Sequence, residues 1–180
     1  ATVTGQADAK LQAAYGMPLL PGGFTKAPFD IIGDTLRGTR GMMLDLYRRP
    51  DKVVAACERL VALAIQMGVE TATGQDNPFV FIPLHKGADS FMSRDDFRKF
   101  YWPTFKAVIL GLVEQGLVPY HLVEGAYNER LDIIRDPDIP AGTTYWSFDQ
   151  TDMRAAKEAL GGWASIAGNV PASMLHSGSP

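Results

Sequence analysis

Four short apolar runs in this sequence are each followed by a polar residue that can hold a proton or a ligand. Helix-like sequence follows each run, and the intervals between the polar residues suit parallel strands joined by crossover helices. Because ligands bind where the carboxyl ends of such strands converge, these residues are the first candidates for a functional site. They are His85, His121, Asp149 and Asn169, and substrate binding is the role expected for Asp149 and Asn169.

Glu124 has a different context from the other strand-end residues. It stands between an apolar strand and the turn at Gly125, where a carboxylate has no obvious structural task, so we expect a catalytic or cofactor-orienting role. Asp149 and Asn169 are also residue types that begin helices, and helix capping is the alternative for both. Lys86 is a candidate anion contact, with a solvated surface cation as the alternative.

The remaining pattern predicts an α/β fold of five or six parallel strands with interleaved helices. Besides the four clear strands, Met17–Leu20 and a weaker segment at Val69–Thr73 are strand candidates, and Gly68 is the expected end of the preceding helix. Pro103 lies inside a long helical segment, so we expect a break near Tyr101. Helices are predicted over about 7–15, 28–38, 40–47, 50–67, 93–115, 128–135, 151–160 and from 171 onward.

Composition favours one ordinary cytoplasmic domain over residues 1–180. The chain has a net charge of −3 and a pI near 5.6, which argue against a nucleic-acid or anionic-membrane partner. No apolar segment is long enough to cross a bilayer, and no signal peptide is recognisable at Ala1. Cys57 is the single cysteine and is expected to be a small buried hydrophobe.

Five segments, read in order, resemble the uroporphyrinogen decarboxylase family, which includes the haem-pathway decarboxylase and cobalamin-dependent methyltransferases. The resemblance implies a TIM (β/α)8 barrel that is incomplete in this chain, corresponding to its middle and later part. A half-barrel exposes strand edges that invite association, and a homodimer is one possible result. The segments are Ala27–Ile31, Tyr47–Asp51, Leu84–Gly87, Ser93–Pro103 and Ala167–Leu175.

The resemblance also suggests roles for individual residues. In the family's methyltransferases the stretch at His121 resembles His-x-Cys, which holds zinc. Here Val123 stands at the cysteine position, so a zinc ion would need Glu124 or His85 as an alternative ligand, with His121 and Glu124 as the first pair to consider. The alternative is that His121 lines the pocket as a hydrogen-bonded histidine. His85 matches the histidine of a Ser-His pair and suits carboxylate binding or proton transfer. Asp34 falls where the decarboxylase has a tyrosine, so a substrate-binding role competes with a surface role.

Three functions follow as hypotheses. The first is methyl transfer with a corrinoid carried by a partner protein, using His85, His121 and Glu124, with zinc as a possible second cofactor. The second is decarboxylation of a porphyrinogen in tetrapyrrole biosynthesis, which needs no metal. The third is a barrel fragment that binds a tetrapyrrole or a partner without catalysis.

Overall fold

Five parallel strands form one sheet in the computed structural model, which describes residues 10, 11, 13–16, 22–74, 77–170, 174 and 176. The strands follow one another in chain order, and each neighbouring pair is parallel, which confirms the predicted α/β class. The candidate strand at 17–20 and the helix predicted from 171 onward lie outside or largely outside the described residues. The strands are β1 (Gly23–Phe24), β2 (Phe79–Leu84), β3 (Val118–Val123), β4 (Tyr145–Phe148) and β5 (Ser165–Gly168).

Helices connect the strands, and two of them contain a single π-helical turn. None of the helices within the described ranges combines the length and the apolar character that a membrane span requires. The helices are α1 (Pro28–Ile31), continued by a first π-turn (Ile32–Leu36), α2 (Thr39–Arg48), α3 (Pro50–Ala72), α4 (Arg94–Asp96), continued by a second π-turn (Phe97–Tyr101), α5 (Trp102–Glu114), α6 (Leu131–Ile134), which follows a 3₁₀ turn (Asn128–Arg130), and α7 (Met153–Leu160).

The predicted break in the long helical segment is confirmed. The second π-turn ends at Tyr101, and α5 starts at Trp102 with Pro103 in its first turn. A proline lacks the N–H that would bond to the preceding turn, so regular α-helical bonding cannot run through this point. Tyr101, the last residue of this π-turn, is fully buried.

The strand predicted at Val69–Thr73 is wrong, because α3 continues through Gly68 to Ala72. Gly68 packs α3 closely against α5: a Cβ at this position would lie 2.7 Å from Leu112 Cδ2. The glycine is therefore a packing residue rather than a helix terminator. Cys57 lies on the same buried face of α3, as expected, and burial raises the pKa of its thiol to about 12.

The two faces of the sheet have different surroundings. One face, the helix face, packs against α3 and α5 and carries fully buried residues such as Val80, Ile82 and Val123. The opposite face, the open face, carries a row of half-buried aromatic rings at paired positions. Phe81 lies 5.5 Å from Tyr120, and Tyr120 lies 4.9 Å from Tyr145, measured between ring centroids.

The close contact at Gly68 generates a stability prediction. Gly68→Val should lower the free energy of unfolding by about 1–3 kcal/mol, because the added methyl groups overlap Leu112 and force the two helices apart. Ala62→Val is the matched control, since Ala62 is exposed on the same helix and costs only about 0.5 kcal/mol in helix propensity. Urea unfolding measures both, and equal losses would contradict tight packing at Gly68.

Candidate functional site

The first residues after strands β2 to β5 form a row at the carboxyl edge of the sheet. Leu84, Val123 and Phe148 are the last residues of neighbouring strands and lie in register, and Phe148 pairs with Gly168 at the end of β5. These last residues lie on the helix face, and successive side chains alternate between the two faces, so the first residue after each strand belongs to the open face. This row consists of His85, Glu124, Asp149 and Asn169.

His121 lies on the other face of the sheet, which corrects its predicted place in the pocket. Its ring is fully buried, stacks on Trp146 at 3.9 Å and meets the edge of Phe105 from α5 at 5.4 Å. Its Nδ1–H donates to the carbonyl oxygen of Tyr145 (3.1 Å). Burial lowers the pKa of the imidazole to about 3 against the opposing effect of this hydrogen bond, so the ring is neutral. It belongs to the helix-side core.

A zinc site built from His121 and Glu124 does not fit this arrangement, because the two side chains start from opposite faces of β3. Val123 shares the helix face with His121 and is fully buried. Within the described part of the chain, no group of three histidine, cysteine or acidic side chains is placed to hold a metal ion.

Asp34 is the centre of a charged cluster beside His85 at the carboxyl edge of the sheet, which we call the rim. Its carboxylate accepts hydrogen bonds from Lys26 Nζ (2.7 Å), from Lys86 Nζ and from Nδ1 of His85 (2.6 Å). Partial burial raises the pKa of Asp34, but these three donors outweigh it and hold the pKa well below its usual range. Asp34 is therefore ionised, and three side-chain donors hold it in place at the rim.

The contact with Asp34 also fixes the tautomer of His85. An ionised carboxylate accepts and cannot donate, so the Asp34 contact places a proton on Nδ1, and in the neutral ring the lone pair is then on Nε2. Nε2 faces Glu124, whose Oε1 lies 3.7 Å away. The His85 side chain is 29% exposed and that of Glu124 is 52% exposed, so this pair borders solvent. An aspartate that orients a histidine in this way is the arrangement used for general bases.

A second carboxylate, Asp30, lies directly beneath the rim and is fully buried. It accepts hydrogen bonds from the backbone N–H groups of His85 (3.1 Å) and Lys86 (3.0 Å) and from the hydroxyl of Tyr101 (2.7 Å). Burial raises the pKa of Asp30 to about 6, and the donors from Tyr101 and His85 oppose this rise. Asp30 thus fixes the backbone that carries both rim residues.

The first π-turn explains how one short helix supplies both carboxylates. Asp30 lies in α1 and Asp34 in the π-turn that continues it, where the wider turn changes the direction of the side chain. Gly33 lies against the Lys86 stem, and a Cβ at this position would come within 2.7 Å of Lys86 Cδ. The missing side chain therefore leaves room for Lys86 to reach Asp34.

The other two residues of the row, Asp149 and Asn169, form hydrogen bonds with the backbone of neighbouring loops. Asp149 Oδ2 accepts from the backbone N–H of Gly125 (3.3 Å), and the Asn169 amide donates to the carbonyl oxygen of Thr151 (2.5 Å). Asp149 does not make the helix cap considered in the sequence analysis, since Asp152 caps α7. The substrate-binding roles of Asp149 and Asn169 stay predictions.

Three residues of the site were not found by sequence reasoning. Lys26 and Asp30 stand in a short segment around Pro28 that carries no strand-end signal, although an acidic residue between Phe29 and Ile31 is unusual for an apolar turn of helix. The sequence pattern around Tyr101 indicates core packing; the residue is buried in the core, and its hydroxyl also reaches Asp30.

Comparisons with known proteins agree with this fold. A family model described as uroporphyrinogen decarboxylase (URO-D) matches residues 9–180. Among solved structures, a methyltransferase from Methanosarcina mazei is similar with a TM-score of 0.68 and 18% identity; the match covers 92% of this chain and 47% of that chain. At this identity the likeness shows the fold, and it confirms the predicted partial TIM barrel. The chain spans about half the length of that methyltransferase. No curated protein matches significantly.

The buried Asp30 generates a pH prediction. Its pKa is about 6 in the folded protein against an ordinary value of 3.8, which applies to the unfolded chain, so its stabilising contribution is complete below about pH 4 and is lost as the pH rises through 6. The free energy of unfolding of the protein, compared with that of Asp30→Asn, should fall by up to roughly 3 kcal/mol over this range. The pKa of Asp34 is lowered, so its contribution to the free energy of unfolding has the opposite sign: it is present above about pH 4 and is lost as the pH falls below that value.

Urea unfolding at several pH values between 4 and 7 measures the effect. Asp95→Asn, at an exposed position, is the control for removing a carboxyl group. If the difference in free energy of unfolding between the protein and Asp30→Asn does not change with pH, the raised pKa of Asp30 is contradicted.

Proposed function

The chain belongs to the uroporphyrinogen decarboxylase family, and on this premise we propose that it forms part of an enzyme that moves a methyl group between a corrinoid on a partner protein and a nucleophilic acceptor. The observation that carries the proposal is the His85 imidazole, which Asp34 orients through Nδ1 so that Nε2 points toward the partly exposed Glu124 at the rim. The family contains decarboxylases and methyltransferases. The fold shared with the Methanosarcina mazei methyltransferase supports the choice of methyl transfer.

His85 would act as the general base for the acceptor. Its Nε2 takes the proton from the thiol or hydroxyl of the acceptor, and the lone pair released on sulfur or oxygen forms the new bond to the methyl carbon. Asp34 keeps the Nδ1 proton in place and stabilises the imidazolium that results. A methylcorrinoid carried by the partner protein would supply the methyl group, and the demethylated corrinoid would be the leaving group.

This assignment replaces the zinc expected from the family resemblance. Zinc would lower the pKa of a thiol by direct coordination, but the described residues hold no suitable ligand set. A histidine base supplies the same activation without a metal. The flat, half-buried rings of Phe81, Tyr120 and Tyr145 on the open face suit the apolar body of a corrin or other tetrapyrrole.

Porphyrinogen decarboxylation is the second candidate. Lys26 and Lys86 together carry two positive charges against the single charge of Asp34, so a cation remains available for a substrate carboxylate at the rim. Consumption of uroporphyrinogen by the purified protein, with no methyl transfer, would favour this candidate over the first.

The test is a methyl-transfer assay with methylcobalamin and a set of thiols. The loss of the methylcobalamin absorbance measures the rate. His85→Ala should lower kcat by about 10²- to 10⁴-fold, the usual contribution of a general base. Asp34→Asn should lower kcat with a smaller change in KM, because it misorients the imidazole and leaves Nε2 present.

Asp132→Asn is the matched control for Asp34→Asn. Asp132 is also paired with a cation, Arg94, and is 59% exposed on α6. Its removal should leave kcat unchanged. Full methyl transfer by His85→Ala would rule out His85 as the base, and the absence of methyl transfer to any acceptor would reject the proposed function.

A further inference from the structure

A groove separate from the rim runs between the first π-turn, α2 and the start of α3. Its floor is apolar and is formed by Ile32, Leu36, Val53 and Ala56. Leu36 is 68% exposed although it is a large apolar residue on an ordered turn. Single exposed apolar residues are common, but one that lies in a concave apolar groove marks a surface suited to a ligand.

The groove continues along α3 beyond Ala56. Its second part, with a volume of about 580 Å³, is lined by Ile32, Leu36 and Ala56 together with Ala55 and Leu60. The first part, near α2, has a volume of about 260 Å³. The second part falls in the range of small-molecule sites and the first lies just below it, and the shape is an elongated apolar channel rather than a polar cleft.

Cations border this channel. Arg49 and Lys52 lie at its α2 end and Arg59 lies further along α3. The side chains of all three lack a hydrogen bond or ion pair with any residue in the described ranges. Asp45 is the acidic residue that lines the groove, and it is already neutralised by Arg37, which donates through Nε (2.6 Å) and Nη2 (3.3 Å). The border is therefore positively charged in a chain whose net charge is −3.

We propose that this groove binds a small amphiphilic anion, with an apolar chain or ring on the floor and a carboxylate or similar group between Arg49 and Lys52. The apolar floor supplies most of the binding free energy through burial of the ligand's hydrocarbon. The two cations fix its orientation and select an anion over a neutral molecule of the same shape. The site is distinct from the rim and does not depend on the function proposed there.

Titration calorimetry with decanoate, below its micelle-forming concentration, tests the proposal. Decanoate should bind with one-to-one stoichiometry. Decanol, which lacks the charge, and acetate, which lacks the chain, should each bind at least about tenfold more weakly, a difference of about one decade in Kd. The double variant Arg49→Gln, Lys52→Gln should weaken decanoate binding by about tenfold and leave decanol binding unchanged.

Arg154→Gln, Lys157→Gln is the matched control, because it removes two exposed cations from one turn of α7. It should bind decanoate as the unmodified protein does. Far-ultraviolet circular dichroism checks that both double variants are folded; all four substituted side chains are exposed. No binding of decanoate, equal binding of decanol, or equal weakening by the two double variants would overturn the proposal.

Discussion

The buried carboxylate of Asp30 is the interaction on which the site depends. It joins three parts of the chain that are far apart in sequence: α1, the residues directly after β2, and the second π-turn through Tyr101. A buried carboxylate is costly without donors, so the two backbone N–H groups and the hydroxyl have to stay in place for the charged form to exist. The same requirement holds the backbone at His85 and Lys86, and with it the position of both side chains at the rim.

Two aspartates four residues apart on one helix therefore have opposite properties. Asp30 faces the core, where burial raises its pKa; Asp34 faces two lysines and a histidine, which lower its pKa. The charge on Asp34 is therefore present throughout the neutral pH range, while that on Asp30 depends on its three donors. The rim thus contains a carboxylate, Asp34, that stays charged at neutral pH, and the backbone beneath it is held by a carboxyl group, Asp30, that titrates near neutral pH.

The sequence predicted the elements better than the site. Short apolar runs and crossover spacing predicted β2 to β5 and their parallel order, since these patterns depend on the chain alone. The face of the sheet on which a strand-end side chain lies is harder to predict, because a shift of one position reverses it. His121 is two residues before the end of β3 and faces the helices, whereas Glu124 follows the end of β3 and faces the rim. Asp30 and Tyr101 were missed for another reason. Their roles depend on a contact across 71 positions, and no local pattern encodes it.

The orientation of β3 also decides what the family resemblance can transfer to this chain. Position 123 has the same parity as His121, so a cysteine there would face α5 and the buried core rather than a ligand at the rim. Restoring that one residue would not create a metal site on the open face. The groups at the open side include His85, Glu124 and the lysines around Asp34, residue types that can transfer protons and bind anions. The proposed site therefore rests on the residues that follow the strands, which the sheet register places side by side.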